Sequence, residues 1–221
     1  MKNWFRKQRY FLLMLLCFGF FRTAIADWNP IPSGSMRPTL LEGDVVFVNR
    51  LAYDFKLPLT DIVLLPLGEP QRGDVVTFSS PQDGTRLIKR IAAVPGDRVE
   101  MRNEVLYING QAADYQAPED VREALGMGAE VDATRWTERL QGHERRVQWL
   151  HGVPARSTFG PLDVPPGQYL MLGDNRDNSV DSRYIGLVPR HLLIGQARRV
   201  LVSADILGNW APRLGRTGQA L

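Results

Sequence analysis

Hydrophobic residues follow two patterns along this chain of 221 residues. Near the N-terminus, residues 10–21 form a continuous run of twelve uncharged positions that ends at Arg22. Beyond it, apolar residues come in short runs that are bounded by Gly, Pro, Asp or Asn. Such short runs are typical of β-strands joined by turns. The pattern therefore predicts an N-terminal helix followed by a mostly β fold with antiparallel sheets.

Turn residues mark where the predicted strands begin and end. Gly-Asp pairs open two of the runs, and Pro95-Gly96-Asp97 closes a third. Asn109-Gly110 closes another, and this dipeptide is a strong signal for a two-residue β-hairpin. The repeated Gly-Asp pairs are interpreted as turns rather than as metal or phosphate sites. The predicted strands lie at residues 45–48, 75–78, 86–94, 105–108 and 169–172, with another that begins at Val99.

Two stretches differ from this pattern and set the predicted domain organisation. Residues 114–165 are rich in Asp, Glu and Arg, and Gly126 and Gly128 interrupt their best helical window. We therefore expect a smaller second lobe, inserted into the β core and lacking a long helix. Residues 54–72 are expected to form an extended loop, because their prolines limit regular structure. The predicted segments are a basic cytoplasmic tail (1–9), a transmembrane anchor (10–28), a β core (29–113 and 166–211), the inserted lobe (114–165) and a flexible tail (212–221).

Composition and charge exclude several classes of function. The chain is 44% hydrophobic and 23% charged, which is ordinary for a globular protein. Five of its 27 basic residues precede the first acid, Asp27, and the rest are scattered among 24 acids, so no nucleic-acid-binding face is expected. The single cysteine, Cys17, excludes an internal disulfide and a cysteine zinc site. The three histidines show no metal-ligand spacing, so no metal or cofactor is expected.

The N-terminal segment fits two interpretations equally well when it is taken alone. As a membrane anchor it is short of the ~20 apolar residues that a span needs, and the four cations before it predict a cytoplasmic N-terminus. As a cleavable secretory signal it has a basic start, a twelve-residue apolar region and Ala24-Ile25-Ala26 as a cleavage site. Both interpretations place the bulk of the chain outside the cytoplasm.

Candidate chemistry begins soon after this segment, at Ser33-Gly34-Ser35-Met36-Arg37-Pro38-Thr39, and it depends on Lys89. A serine hydroxyl is a poor nucleophile until a base takes its proton. A buried, neutral lysine can be that base, whereas arginine keeps its proton. Only four of the 27 basic residues are lysines, so Lys89, between Ile88 and Arg90, indicates a task that arginine cannot perform. Acting near pH 7 requires its pKa to fall by roughly three units, or about 4 kcal/mol, which burial can supply.

Each of these signals has a simpler explanation on its own. Ser33-Gly34-Ser35 is an ordinary turn sequence, Lys89 an ordinary exposed strand residue, and residues 174–183 an ordinary polar loop. Their occurrence in this order behind an apolar segment favours one shared function. It also favours a retained anchor, because chemistry that begins seven residues after Ala26 suits a site at the membrane face.

Five blocks of the sequence carry a more specific signal when they are taken together. The blocks are Pro32–Leu40, Gly43-Asp44 with Val48, Arg72–Val76, Leu87–Arg90 with Pro95-Gly96-Asp97, and Gly173–Arg183 (GDNRDNSVDSR). In this order, across residues 31–183, they resemble the bacterial type I signal peptidases, or leader peptidases, which are endopeptidases with a serine/lysine dyad. The last block is long and therefore the most specific. The inserted lobe matches no motif of the family.

The resemblance implies roles for individual side chains. Ser35 corresponds to the nucleophile and Lys89 to the general base. Ser33 corresponds to the hydroxyl that stabilises the oxyanion together with the backbone N–H of Ser35. Ser179 corresponds to the hydroxyl that orients the lysine ammonium. The remaining matches are the supporting residues Asp174, Asp181 and Arg183, and the walls of the substrate pocket, Met36, Leu87 and Ile88.

The chain departs from the family's pattern in three places. Arg50 stands where lysine is common, which touches no implied catalytic role. Leu87 stands where an aromatic residue is often found before Ile-Lys, so the substrate pocket is expected to differ in shape. One apolar segment stands in place of two, and it is shorter than a comfortable span.

The resemblance implies a single-pass enzyme of the bacterial inner membrane, with its N-terminus in the cytoplasm and its catalytic domain on the outer side. Such an enzyme hydrolyses the peptide bond after A-x-A-like sites and releases signal peptides from exported preproteins. The implied partners are signal sequences and the lipid bilayer, which an apolar surface near the site is expected to touch. We expect a monomer that needs no cofactor and binds no nucleic acid.

Two alternatives stay open at this point. One is a specialised processing peptidase with the same dyad, such as the maturation enzyme of a conjugative pilus system. The other is a catalytically silent, membrane-tethered β protein that serves as a binding module. The presence of Ser35, Lys89 and Ser179 argues against the silent protein, since an inactive relative needs none of them. A self-cleaving repressor shares the dyad but requires a DNA-binding half, for which this chain offers no segment.

Overall fold

A computed structural model describes residues 2–60, 62–126 and 129–221 of the chain. About half of the residues, 48%, are in β-strands and 15% are in helices. Neighbouring strands pair antiparallel in all four sheets. The predicted fold class, mostly β with antiparallel sheets and one N-terminal apolar helix, is confirmed.

The helices and strands have the following bounds. Helix α1 is Lys2–Phe20, it continues as a π-helical turn at Phe21–Ile25, and a short helix α2 is Ser182–Ile185. Single 3-10 turns occur at Gly34–Met36, Arg190–Leu192 and Leu214–Arg216. The strands are β1 Ala26–Pro30, β2 Asp44–Asn49, β3 Asp54–Lys56, β4 Val63–Pro66, β5 Val75–Ser79, β6 Arg86–Ala93, β7 Arg98–Arg102, β8 Val105–Ile108, β9 Gln111–Ala112, β10 Asp114–Gly126, β11 Ala129–Leu140, β12 His143–Leu150, β13 Phe159–Asp163, β14 Gln168–Leu172, β15 Val188–Pro189 and β16 Leu193–Ser203.

The N-terminal helix leads directly into the β structure. The window Gln8–Ile25 is long and apolar enough to cross a membrane, with a mean hydropathy of 1.2, and only 6% of it is buried against the rest of the chain. The helical backbone ends at Ala26, whose extended conformation begins β1. By length and composition this helix fits a membrane span, although a signal sequence near an N-terminus has the same properties.

The central sheet has seven strands in the order β1-β2-β16-β5-β6-β14-β15. Strand β6 lies inside it, between β5 and β14, and its register places Lys89 opposite Val76. Burial alternates along β2, as expected for a strand with one face towards a core. A cluster of buried apolar side chains packs Met36 and Leu40, which lie between β1 and β2, against this sheet. The packing fixes the position of the short turn that precedes Leu40.

A second group of strands forms two further sheets. Strands β10, β11 and β12 form a three-stranded sheet, and β13 pairs with β7 in a sheet that also holds β8 and β9. The described part of residues 114–165 is therefore strand and loop, which agrees with the expectation that no long helix forms there. The division of the chain into domains stays a prediction, and the sheet that joins β7, β8 and β9 to β13 crosses the boundary expected at residue 114.

Two segments differ from what their composition predicts. Residues 54–72, expected to be an extended loop, contain the short hairpin β3–β4. Their prolines permit it, because Pro58 lies outside the strands and Pro66 is the last residue of an edge strand. At the C-terminus, Arg216 donates two hydrogen bonds to the buried Asp44, and residues 212 and 220 form β-bridges to the chain around β16. These contacts favour an ordered tail over a flexible one.

Candidate active site

The turn that carries Ser35 is held from two sides. Ser35 lies in the 3-10 turn Gly34–Met36, and it is largely buried. On one side, Met36 has no exposed surface and packs in the core. On the other side, Asn175 donates its backbone N–H to the carbonyl of Ser35, at 3.1 Å, and its side-chain amide to the carbonyl of Gly34, at 3.0 Å. The hydroxyl of Ser35 is therefore presented by a turn with little freedom to move.

The amine of Lys89 meets this hydroxyl. Its Nζ donates a hydrogen bond to the Oγ of Ser35 at 2.6 Å, and a second one to the carbonyl of Ile88 at 3.0 Å. Lys89 extends from β6 in the interior of the central sheet, and only 3% of it is exposed. The sequence places these two residues 54 positions apart, and the fold brings them into direct contact.

Burial changes the acidity of this amine. Removal from water lowers the pKa of Lys89 to about 8, because the charged ammonium loses its hydration. The carboxylates of Asp181 and Asp174 act in the opposite direction and limit the fall. With a pKa near 8, roughly a tenth of the amines are neutral at pH 7 and about half at pH 8. The pair can therefore transfer a proton from the hydroxyl to the amine near neutral pH.

The cation next to Lys89 is kept apart from it. Arg90 makes a two-point contact with Asp174, with Nε–Oδ1 at 2.9 Å and Nη2–Oδ2 at 2.7 Å, and also donates to the carbonyl of Gly73. Successive residues of a strand point to opposite faces, so the guanidinium leaves the side on which the amine of Lys89 lies. Thr39 donates its hydroxyl to the same carboxylate. Asp174 therefore ties together β6 and the segment that follows Ser35.

A second carboxylate shapes the backbone beside Ser35. Asp181 is fully buried and binds Arg183 through Nε–Oδ1 at 2.8 Å and Nη2–Oδ2 at 2.9 Å. Its Oδ2 also accepts the backbone N–H of Gly173 at 3.0 Å. A side chain at Gly173 has no room, since its Cβ would lie 2.6 Å from the carbonyl oxygen of Ser35. The Asp181–Arg183 pair thus holds a glycine against the turn that carries the hydroxyl.

The two other serines named from the sequence lie beside the pair without completing it. Ser33 is an exposed residue, and its Oγ lies 3.4 Å from the Oγ of Ser35. The hydroxyl of Ser179 is buried next to Gly173, and it has no hydrogen-bond partner among the described residues. The hydrogen bond from Ser179 to Lys89 that the resemblance implies is absent, because the Lys89 amine is directed to Ser35 and Ile88.

The three residues expected to line a substrate pocket have different surroundings. Met36 is buried in the apolar cluster with Leu40 and supports Ser35 from the core rather than lining an open surface. Leu87 and Ile88 are partly exposed on β6, and each packs against a different core cluster. Only Leu87 and Ile88 therefore have surface that a bound chain could touch.

Sequence reasoning missed a buried charge network behind the site. Glu138 of β11 is fully buried and pairs with Arg176 and Arg145, which outweigh its burial and lower its pKa to about 2. Next to it, Gln148 of β12 exchanges backbone hydrogen bonds with Asp174 and Arg176, each 2.9 Å long. Arg176 lies in the quoted motif, but its partner lies in the lobe that carries none, so no sequence signal could have joined them.

Comparisons with known proteins identify the family. The family model described as "Signal peptidase, peptidase S26" matches residues 1–202. The signal peptidase I of Pseudomonas aeruginosa is 36% identical over 194 residues, which cover 82% of this chain and 66% of that protein. The signal peptidase I of Rickettsia typhi is 33% identical over 202 residues, which cover 84% of this chain and 75% of that protein.

A solved structure also matches. A signal peptidase I from Enterococcus faecalis V583 is 30% identical, covers 58% of this chain and 96% of its own, and has a TM-score of 0.35. The match to the Pseudomonas aeruginosa protein spans just under two thirds of that protein's length. The matched residues 1–202 include every position of the site described above. The chain belongs to the signal peptidase family, peptidase S26.

Proposed function

We propose that this protein is a membrane-bound signal peptidase I that cleaves signal peptides from exported preproteins after A-x-A-like sites. The observation that carries the proposal is the 2.6 Å hydrogen bond between the Lys89 amine and the Ser35 hydroxyl, buried in a member of this family. Relatives named signal peptidase I support the same activity. The roles of individual residues below belong to the proposal.

Acylation begins with the neutral amine of Lys89. The amine takes the proton of Ser35 as Oγ forms a bond to the carbonyl carbon of the scissile peptide. The resulting ammonium then gives this proton to the departing amine of the mature protein as the C–N bond breaks, which leaves an ester on Ser35. In deacylation, the amine takes a proton from water, the hydroxide attacks the ester, and the proton returns to Oγ. Arginine cannot serve, because it does not release its proton.

The Asp174 and Asp181 carboxylates suit this double use of one amine. A base that starts neutral and then holds a proton works best with a pKa close to the working pH. Burial alone would lower the Lys89 pKa further, and the two carboxylates limit the fall to a value of about 8. The amine is then basic enough to keep the proton in the intermediate and still partly neutral before the reaction.

The oxyanion of each intermediate requires donors next to Ser35. We assign the backbone N–H of Ser35 and the hydroxyl of Ser33, whose oxygen lies 3.4 Å from the attacking oxygen and is exposed, so it is free to turn towards a substrate. Removing one such donor typically reduces kcat by a hundredfold or more. We expect Ser33→Ala to reduce kcat by about this factor with folding unchanged, measured with a peptide substrate. An unchanged kcat would remove Ser33 from the mechanism.

The membrane location rests on two apolar elements. Helix α1 and its continuation supply a candidate span of 18 residues. The hairpin β3–β4, with the described residues next to it, exposes an apolar surface, and it lies beside α1, since Pro58 and Leu59 share a small cavity with Leu16 and Phe20. An exposed patch of this kind marks a binding surface, and its position beside the helix makes lipid the partner. The exposed side chains are Leu57, Leu59, Ile62, Val63, Leu64, Leu65 and Leu67.

We place the N-terminus in the cytoplasm and the β structure on the outer side of the bacterial inner membrane. The cations that precede the span support this orientation. The location matches the task, since a signal sequence leaves the bilayer at that surface. An exported A-x-A site then reaches Ser35 without leaving the membrane face.

Incubation of the full chain in detergent with a purified preprotein tests the proposal. We expect cleavage after an A-x-A-like site, identified by mass spectrometry of both products, and no cleavage with Ser35→Ala. Ser79→Ala, which changes a half-buried serine on β5, is the matched control and should cleave normally. A preprotein left intact by the unmodified protein, or cleavage that survives Ser35→Ala, would refute the proposal and favour a binding module.

A further inference from the structure

A cavity of about 490 Å³ lies apart from Ser35 and Lys89. It is open to solvent and is lined by the three-stranded sheet β10–β12, residues 151–153 after β12, the turn between β7 and β8, and Asp177 of the Asp174–Arg183 loop. Its walls include three aromatic rings and two carboxylates. In a chain with 27 basic residues, none of the described residues that line it is a lysine or arginine. The aromatic and acidic side chains are Tyr115, Trp136, Trp149, Glu104 and Asp177.

The aromatic walls come from one face of the sheet. Thr134 lies opposite Trp149 in the register, and Trp136 is two positions further along the same strand, so both tryptophans share a face. The rings of Tyr115 and Trp149 meet edge to face, with their centres 5.1 Å apart. The faces of such rings attract cations. The guanidinium of Arg176 lies 5.6 Å from the centre of the Trp149 ring, so this ring already contacts one cation.

The first carboxylate, Glu104, occupies a turn position that favours glycine. Asn103 and Glu104 join β7 to β8 with φ of 47° and 72°. The next hairpin has the same geometry at Asn109 and Gly110, with φ of 53° and 80°. A glutamate in this conformation is strained, whereas glycine adopts it freely. Glu104 is exposed, and within the described chain its carboxylate forms no hydrogen bond or ion pair, so its charge is available to a ligand in the cavity.

The second carboxylate, Asp177, faces the same space. Its Oδ2 accepts the backbone N–H of Leu150 at 2.9 Å. Burial raises the pKa of Asp177, and the charge of Glu104 adds to this effect, whereas the charges of Arg183 and Arg176 oppose it. Glu104 and Asp177 line the same cavity, so both add negative charge to one space. A cation between them would neutralise this charge and would also contact the aromatic rings.

We propose that this cavity binds an organic cation, a guanidinium or ammonium group the size of an arginine or lysine side chain, between Glu104 and Asp177 and against the rings of Trp136 and Trp149. The group could come from a peptide side chain or from a free polyamine, because the recognition chemistry is the same. The site does not depend on the proposed peptidase activity. Because Asp177 is two residues from Ser179, its occupant contacts the loop that supports the candidate active site.

Binding to the full chain in detergent tests the proposal directly. N-acetyl-arginine amide represents a peptide side chain, N-acetyl-citrulline amide is its uncharged isostere, and spermidine represents a free polyamine. We expect saturable binding of the cations by calorimetry and a change in tryptophan fluorescence, with the citrulline compound at least about tenfold weaker. Tighter binding of the arginine compound or of spermidine identifies the source, and either one supports the site. Equal binding of the arginine and citrulline compounds, or no binding of any cation, would overturn it.

A variant of Glu104 separates binding from folding. Glu104→Gly removes the carboxylate and relieves the strained turn, so we expect unchanged or higher thermal stability together with at least tenfold weaker binding of N-acetyl-arginine amide. Glu104→Gln should show the same loss of binding with the turn unrelieved. Glu130→Gln, which removes an exposed carboxylate of β11 outside the cavity, is the control and should bind normally. Full binding by both Glu104 variants would contradict the proposal.

Discussion

Replacing Lys89 with methionine should abolish activity and at the same time stabilise the protein. The buried ammonium is unfavourable in the folded state, where the pKa of Lys89 falls from 10.5 to about 8. At 1.36 kcal/mol per pKa unit, this corresponds to about 3 kcal/mol. The variant loses two hydrogen bonds, to Ser35 and to the carbonyl of Ile88, each contributing about 1 kcal/mol. The net gain expected at pH 7 is about 1 kcal/mol.

The pH dependence of this gain follows from linkage. Below pH 8 the amine is protonated in both the folded and the unfolded chain, so the folded state carries the full penalty. Between pH 8 and 10.5 the folded chain is neutral while the unfolded chain still binds the proton, so the penalty decreases as the pH rises. Above pH 10.5 it is absent. The advantage of Lys89→Met should therefore be complete at pH 7. At pH 10 little of the penalty remains while the cost of the two lost hydrogen bonds persists, so the variant should be the less stable protein there.

Thermal unfolding of the full chain in detergent at both pH values measures this effect. For a chain of this size about 1 kcal/mol shifts Tm by roughly 2–4 °C, so we expect a rise of this size at pH 7 and a fall at pH 10. Preprotein cleavage assayed on the same samples should be absent in the variant. A variant that is less stable than the unmodified protein at pH 7, or a difference in Tm that is equal at both pH values, would refute the account of Lys89 as a desolvated amine.

Three further predictions concern the same site. Because Lys89 must be neutral to act and its pKa is about 8, kcat/KM for a peptide substrate should fall about tenfold for each pH unit below 8, and a rate that stays flat down to pH 6 would contradict this. Gly173→Ala would place a methyl group 2.6 Å from the carbonyl oxygen of Ser35, so kcat/KM should fall at least about a hundredfold. Gly215→Ala, which adds a methyl group in open space, should leave kcat/KM unchanged. Asn175→Asp replaces an amide donor to the Ser35 turn with an acceptor, so kcat should fall more than tenfold with little change in KM, while Asn178→Asp on the exposed side of the same loop should match the unmodified protein.

The strands that the sequence predicts are those with local signals. Gly-Asp turns and the short apolar runs that follow them place β2 and β5 within one residue of their observed bounds. The dipeptide Asn109-Gly110 forms the predicted two-residue turn, with both residues in the left-handed region. Hairpin β3–β4 was not predicted, because the prolines in residues 54–72 suggest a loop unless their positions relative to the strands are known. Local patterns predict where a strand forms, but they do not show that a proline at the end of an edge strand is tolerated.

The site shows the same division between local and distant information. A rare lysine in an apolar strand is visible in the sequence, and the structure brings its amine to Ser35. The contacts of Asn175 to the Ser35 turn are not visible, because a polar loop offers many side chains and the sequence does not say which of them point inward. The resemblance names Ser179 but not its contacts, since its hydroxyl lies near the pair without a hydrogen bond to Lys89.

The docking of β12 against the Asp174–Arg183 loop limits how this protein can be re-engineered. Gln148 completes the backbone hydrogen bonds of the loop, and Glu138 neutralises the guanidinium of Arg176. Excising residues 114–165, or transplanting the equivalent segment of a relative, would leave the buried guanidinium of Arg176 without its counterion Glu138. This charge lies in the loop whose Asn175 holds the Ser35 turn. A chimera must therefore exchange the loop and the insert as one unit.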